Sequence, residues 1–466
     1  MQFYRFRTLD NLLGKRKELE NQEIYFASPE QQNDPMEGYH DIYFQGDSVI
    51  WESFFKNYLF LLDDVFIQIQ TQKPRSRFKE PSHIGISYEW NKLPKLRQAH
   101  LKNILEDFLS NKEIQDLISE LSMNHRKFSL PEIKLYLLLT HSFAINSLNN
   151  IYSKLGLPIF KEKLNIINNL NKDFFLLRDQ SENNNDEKLN FLYMLSIIEQ
   201  QRILYKLNIK KLTAKSRFLI EGFPSFYIKQ LMPLLYQKWY SACFMNKESS
   251  TSSSVWGSYG SNHAGICLIF NSEMKNESLT LGLYTPKFSN ESNTYEQRLT
   301  PQKFYCIEYG KEPNSFNLFT SLGRINPLDL DRNWLINFKS ETSYLRSSVF
   351  QNYNVWHESH HDTFIKNITR KSKDWRYENE YRLILDEFCY DYSNPKDRTL
   401  KYEFSSLHGL IFGINTPEKD KLKIIKLIYK KCKEHKRTDF KFYQAYFCHN
   451  SQSVQHMPLD LIKFKF

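Results

Sequence analysis

The chain holds six cysteines, Cys243, Cys267, Cys306, Cys389, Cys432 and Cys448, and no two of them form a CxxC pair. That absence excludes a zinc ribbon and points to reduced thiols rather than a disulfide framework. No apolar run approaches the roughly 20 residues that a membrane-spanning helix requires. Even IKLYLLLTHSFAI carries Lys134 and His141, so no membrane association is expected. The opening MQFYRFRTLDNLLGKRKE lacks the apolar stretch and small-residue cleavage site of a secretory signal, and a cytoplasmic location is expected. Long lysine or arginine tracts and interleaved basic-aromatic motifs are missing too. General nucleic-acid affinity is therefore a minor expectation, despite a net charge of +10 that favours encounters with anions. No GxGxxG surrounds Gly260 and Gly265, no HExxH occurs in WHESHHD (His357, His360, His361), and Gly257–Tyr259 is not a GxSxG elbow. The usual signatures of a dinucleotide-binding turn, a zinc protease and a serine hydrolase are thus all absent. No internal repeat is evident.

What is present describes a globular protein. Of 466 residues, 41% are hydrophobic and 25% charged, and that length makes two structural units the default. FYRF, LDNLLGKRKELEN and EIYFASP read as strand, helix, strand, followed by a turn in QQNDPMEG. From Trp51 to about Tyr240 the spacing becomes helical, with segments at Trp51–Gln70, Lys95–Ser110, Ser129–Leu155 and Asp186–Asn208. SENNNDE reads as a loop between the last two. Ser129 and Glu132 have capping-box spacing, and Pro131 falls in the first turn of its helix. Strand-like runs return with WYSACF, GICLIF, KFYCIEY, YRLIL and LIFGI, and KESSTSSSVWGSYGSNH reads as a mobile loop. KDKLKIIKLIYKKCKEHK predicts a basic amphipathic helix packed on a sheet. The expected fold class is α+β: a mixed or antiparallel sheet core from residues 1–50 and 238–466, interrupted by an all-helical insertion over 51–237.

The stretch from Trp375 to Arg382, WRYENEYR, carries the chemistry. Strict alternation predicts a strand with Arg376, Glu378, Glu380 and Arg382 on one face and Trp375, Tyr377, Asn379 and Tyr381 on the other. Residues two apart on a strand lie about 6.6 Å apart, so both carboxylates could reach one ligand while the arginines hold them. The plainer alternative is an edge strand with solvated charges. Trp256 and Tyr259, three apart, suit either stacking on a ring or anchoring a core. Asn33 and Asp34 suit either a turn or the rim of a pocket.

Four motifs in order, YRFRT, IYFASPEQQNDPMEG, VWGSYGSNHAGICLIF and KSKDWRYENEYRLIL followed by HGLIFGI, resemble the bacterial family named domain of unknown function 2971. Its pattern includes "fNDP.E", "W..Ya..h.G.c..f" and "K...W.yE.E.R". This chain departs from it with Gln32 in place of an aromatic, and with the long helical segment. A more distant similarity is to the ADP-ribosyltransferase fold, which implies NAD as substrate and a macromolecular acceptor, nucleic acid or protein. It also implies a toxin-like role in bacterial antiphage defence. On that similarity Arg5 would grip the dinucleotide phosphates, Ser28 would fix its neighbour, and Glu380 would face the oxocarbenium-like ribose. Glu378 would handle the acceptor, and Arg382 would hold the carboxylates. Asn33, Asp34, Trp256 and Tyr259 would complete the NAD site. Two other readings stand beside it. One is a magnesium-dependent nuclease using Asp34, Glu378 and Glu380, although the arginines on that face oppose a divalent cation. The other is a binding module whose helical insertion docks a protein and whose carboxylates are structural. The oligomeric state is unassigned.

Overall fold

A computed structural model describes residues 1–34, 36–71, 78–81, 90–123, 126–157, 190, 193–198, 201, 213–290, 292–312, 314–387 and 389–464. About two thirds of the expected helix Asp186–Asn208, and the whole of the SENNNDE loop and Pro35 of the NDP turn, fall outside the described residues. Contacts divide the chain into two compact units. One comprises Met1–Tyr39, Gln237–Pro313 and Phe364–Phe466; the other comprises His40–Tyr236 and Asn314–Thr363. The helical unit therefore begins earlier than residue 51 and also takes in residues 314–363.

The first unit is built on an eight-stranded sheet. Its strands are β1 (Gln2–Arg7), β2 (Trp239–Met245), β3 (Ile266–Asn271), β4 (Tyr305–Cys306), β5 (Glu380–Asp386), β6 (Leu407–Phe412), β7 (Lys441–Cys448) and β8 (Ser453–Pro458). Their spatial order is β4-β5-β2-β1-β3-β6-β7-β8. Every pairing is antiparallel except β6 with β7. A parallel pair needs a crossover, and the helix Glu418–Glu434 supplies it. Ile424, Ile428 and Cys432, spaced by four, form its buried stripe and join the core on one sheet face. Alternation along β3 divides the two faces: Ile266, Leu268 and Phe270 enter that core, while Cys267 and Ile269 pack with Tyr4, Phe6 and Trp256 on the other.

β1 pairs with β3 along its whole length, but with β2 only at Tyr4 opposite Met245. Backbone groups freed by this parting need other partners. The Arg5 guanidinium supplies one, donating to the β2 carbonyl of Cys243 at 3.0 Å, and also donates to the carbonyl of Tyr25, on the separate strand Glu23–Tyr25, at 3.1 Å. Two departures from the sequence expectations matter for the site. The serine-rich segment is not simply a loop: it forms a 3-10 turn at Glu248–Thr251 and a short helix at Ser253–Ser258, whose N-cap Ser252 accepts from the Val255 amide. KFYCIEY splits between β4 and a two-residue strand at Glu308–Tyr309, which belongs to another sheet.

In the second unit the helices Ser48–Thr71, Lys95–Leu109 and Leu130–Lys154 lie close to their expected positions. Ser129 caps the last of these through the Glu132 amide. Ser48–Thr71 is buried on nearly every side, the mark of a central helix. Among the described residues no helix is long and apolar enough to cross a membrane.

Candidate active site

The alternation of WRYENEYR predicts one continuous strand, and the backbone departs from it. Lys373–Glu378 is a 3-10 turn, Asn379 is left-handed at φ 45°, and β5 begins only at Glu380. Asn tolerates this conformation better than most residues because its short polar side chain bonds locally, so Asn379 is where a helical turn can stop and a strand start. The turn leaves Arg376 and Tyr377 exposed and Glu378 buried. Arg376 therefore does not hold a carboxylate as expected. Lys371 does, from the two-residue strand Arg370–Lys371, which pairs in parallel with Glu308–Tyr309.

The result is a continuous buried chain of polar groups. Lys371 Nζ lies 2.8 Å from Glu378 Oε2 and 2.7 Å from Glu380 Oε2. Glu380 also accepts from Arg382 Nε at 2.8 Å and Nη2 at 3.2 Å. Arg382 is fully buried and spends its remaining donors on Glu37, at 3.0 Å from Nη2 to Oε2 and again from Nη1, and on the Ile368 carbonyl at 2.8 Å. At the other end, Glu378 Oε1 accepts from the Tyr259 hydroxyl, which in turn accepts from Asn33 Nδ2 at 3.2 Å. Two neighbours fix the backbone of the turn: the Ser249 hydroxyl donates to the Glu378 carbonyl at 2.6 Å, and the Glu380 amide donates to Tyr309 Oη at 2.8 Å. The serine segment thus braces the site. A Cβ on Gly260 would lie 2.7 Å from the Trp256 ring, so a bare residue is needed beside Tyr259.

Protonation follows from a charge count. Three carboxyls, Glu37, Glu378 and Glu380, face two cations, Lys371 and Arg382. Burial raises all three carboxyls, and the cations decide the outcome at each. At Glu380 the fields of Arg382 and Lys371 overcome burial and hold it down at about 2, so it is ionised. At Glu378 burial, seconded by Glu380, outweighs Lys371 and lifts the carboxyl above its usual range. Glu37 is also raised, by burial set against Arg382. Burial and the Glu380 charge push the Cys243 thiol up to about 12, leaving it a poor nucleophile.

A cavity of about 310 Å³ opens along the parting of β1 and β2. Arg5 and Arg7 line one side, and Lys371, Glu378, Glu380 and Tyr259 line another. Asn33 and Gln32 also line it; Gln32 donates to Ser241 Oγ at 2.9 Å and accepts weakly from the Cys243 thiol at 3.6 Å. Burial and the neighbouring Arg7 pull Arg5 down to about 10, still cationic at neutral pH. Its two Nη groups already serve backbone carbonyls, so Arg5 contributes charge to the wall more than a free fork for phosphate.

Of the expected site residues, Arg5, Asn33, Tyr259, Glu378 and Glu380 come together at this cavity, with Arg382 behind them. Ser28, Asp34 and Trp256 do not line it. Ser28 opens the 3-10 turn Pro29–Gln31, its amide donating to Gln31 Oε1. Asp34 accepts from the Met36 amide at 2.9 Å and serves its own turn. Trp256 is a core anchor, edge-on to Phe6 and bonded to the Ser250 carbonyl at 2.8 Å. In the other unit, His360 bonds the Ser321 carbonyl and stacks on Tyr236. Lys371 and Glu37 were not singled out from sequence, and Gln32 was noted only as a departure from the family pattern. The first two occupy the lysine of "K...W.yE.E.R" and the final glutamate of "NDP.E", so a signal for both existed.

Residues 255–383 match a family described as Protein of unknown function (DUF2971). The matched stretch holds Tyr259, Lys371, Glu378, Glu380 and Arg382, while Arg5, Asn33 and Glu37 lie outside it. No curated protein and no solved structure matches the chain.

Proposed function

We propose that the sheet unit is an NAD-consuming enzyme of the ADP-ribosyltransferase kind, which breaks the bond between nicotinamide and ribose and passes ADP-ribose to a macromolecule or to water. The observation that carries this reading is the unequal glutamate pair at the cavity: Glu380 is held ionised and Glu378 is raised. Carboxyls whose environments drive them apart suit two different tasks in one reaction. In this reaction the C1′–N bond breaks with its electron pair leaving on nicotinamide, and positive charge develops on the ribose. Ionised Glu380 faces that charge. Glu378, a stronger base than an ordinary carboxylate, takes the proton of the attacking nucleophile.

A cavity of about 310 Å³ sits at the low end of ligand pockets, about 300–1,000 Å³. It suits the nicotinamide-ribose end of NAD, with the adenylate end reaching outward past Arg7. A toxin-like role in bacterial defence would follow from either NAD depletion or modification of an essential macromolecule. The magnesium-dependent nuclease is less well supported. Asp34 is committed to its own turn, and the Lys371 ammonium occupies the space between Glu378 and Glu380 that a divalent cation would need.

The test is incubation of the purified chain with NAD alone and with protein, RNA and DNA acceptors, reading nicotinamide release by chromatography and acceptor mass by mass spectrometry. Release that disappears in Glu378→Gln, with the circular dichroism unchanged, supports the reading. Unchanged NAD with every acceptor, or equal release by wild type and Glu378→Gln, overturns it.

A further inference from the structure

The helical unit holds a buried amine that the proposed NAD chemistry does not use. Lys56 lies on the central helix Ser48–Thr71 and is only 5% exposed. A lysine on a buried helix face ordinarily either snorkels to water or pairs with a carboxylate, because an isolated buried charge is costly. Among the described residues Lys56 makes no hydrogen bond or ion pair; its nitrogen lies 5.6 Å from the centre of the Phe338 ring. It lines a cavity of about 200 Å³ together with Glu52, Ser53, Asn337 and Phe338. Ser53 is 1% exposed, and its hydroxyl has no partner either. The Lys56 ammonium, with only a ring beside it, and the Ser53 hydroxyl, which has no hydrogen-bond partner among the described residues, border the same space, where a ligand could satisfy both. Glu52 stands one helical turn before Lys56, its carboxylate held by Asn337 Nδ2 at 2.9 Å.

We propose that Lys56 is a covalent capture site for a small carbonyl compound, an aldehyde or 2-oxo acid, seated in this cavity. The neutral amine attacks the carbonyl carbon, its lone pair forming the C–N bond while the C=O π pair moves to oxygen and takes up a proton. The carbinolamine then loses water as the nitrogen pair forms C=N, so amine plus carbonyl gives imine plus water with no oxidant or reductant. Among the groups lining the cavity, Ser53 would bond the carbinolamine hydroxyl and Glu52 would relay the proton. Burial draws Lys56 down to about 7, with the Glu52 charge opposing it only in part. About half of its amine is then free base at neutral pH, against less than about one part in a thousand for an ordinary lysine.

The experiment treats the full chain with glyoxylate and cyanoborohydride at neutral pH and follows carboxymethylation of each lysine by peptide mass spectrometry. The expected result is modification of Lys56 at least about tenfold faster than of exposed Lys102 and Lys339, with a rate that saturates as glyoxylate rises. Ser53→Ala, which leaves the amine in place, is expected to slow Lys56 alone. Modification no faster than at Lys102, a rate linear in glyoxylate throughout, or an unchanged rate in Ser53→Ala would each overturn the proposal. None of these readouts depends on NAD, so this site and the sheet unit's site stand or fall separately.

Discussion

Replacing Lys371 with methionine isolates the ammonium that Glu378 and Glu380 share while keeping an unbranched stem. In the variant Glu380 retains Arg382, but Glu378 keeps only the Tyr259 hydroxyl, so a buried carboxylate stands without a cation. Removing one partner of a buried ion pair costs about 3–5 kcal/mol. That cost depends on pH, and its sign is fixed by the direction of each shift. Glu378 is an acid raised in the folded state, so its penalty is absent below the unfolded value and complete once pH exceeds the folded value. Loss of Lys371 widens that gap. Glu380 works oppositely: depressed from 4.5 to about 2, it contributes about 3 kcal/mol above pH 4.5, lost as pH falls through about 2. Between about pH 5 and pH 8, therefore, the Glu380 contribution is constant, and what varies comes from the raised carboxyls that lose the Lys371 charge, Glu378 in direct contact with it and Glu37 farther off behind Arg382. Hydrogen exchange of the β5 amides, followed against urea, reads the sheet unit without the helical one. Lys371→Met is expected to lose about 3–5 kcal/mol near pH 8 and distinctly less near pH 5, and adding Glu378→Gln should recover most of the loss. A loss below about 1 kcal/mol, or one equal at both pH values, would refute the electrostatic account.

Three other outcomes are expected. Asn379→Ala should cost about 1 kcal/mol in thermal or chemical unfolding, because φ 45° is unfavourable for alanine, while Asn379→Gly should be close to neutral. Glu380→Gln should destabilise by about 3–5 kcal/mol by breaking its pairs with Arg382 and Lys371, whereas Glu378→Gln should leave the melting temperature unchanged or higher. Tyr259→Phe removes a bond that lowers Glu378, so the rising limb of the pH–rate profile for nicotinamide release should move to higher pH; an unmoved limb would detach Tyr259 from the chemistry.

Helical spacing made Ser48–Thr71, Lys95–Leu109 and Leu130–Lys154 legible to within a few residues, the last helped by its Ser129 cap, whereas Lys112–Ser122, Phe223–Leu235 and Tyr353–Ile368 were not placed. The sheet strands were legible as short apolar runs, but their order was not: β1 lies between β2 and β3, partners more than two hundred residues away in sequence. The hairpin Ser278–Ser289 with Thr294–Lys303 escaped notice because its second strand is almost wholly exposed and lacks an apolar face. At the site, perfect alternation in WRYENEYR concealed a change of backbone state, since a 3-10 turn and a strand can place the same two glutamates at one lysine. Pattern alone does not distinguish them; the Asn at position 379 was the local clue. Lys371 escaped because it stands four residues before the tryptophan that opens the alternating run.

The surplus carboxyl ties this geometry to chemistry. A network that served folding alone would do best with charges matched and every lone pair engaged, because buried imbalance costs stability without return. Glu380 meets that description: three donors from Arg382 and Lys371 hold it, and it is locked as an anion. Glu378 does not. It has one cation, which it shares with a neighbouring anion, and takes its second bond from a tyrosine. The same two cations that fix Glu380 therefore leave Glu378 as the member able to exchange a proton. The 3-10 turn and the left-handed Asn379 separate the two roles over three residues of chain, with one glutamate at the last position of the turn and the other at the first of the strand.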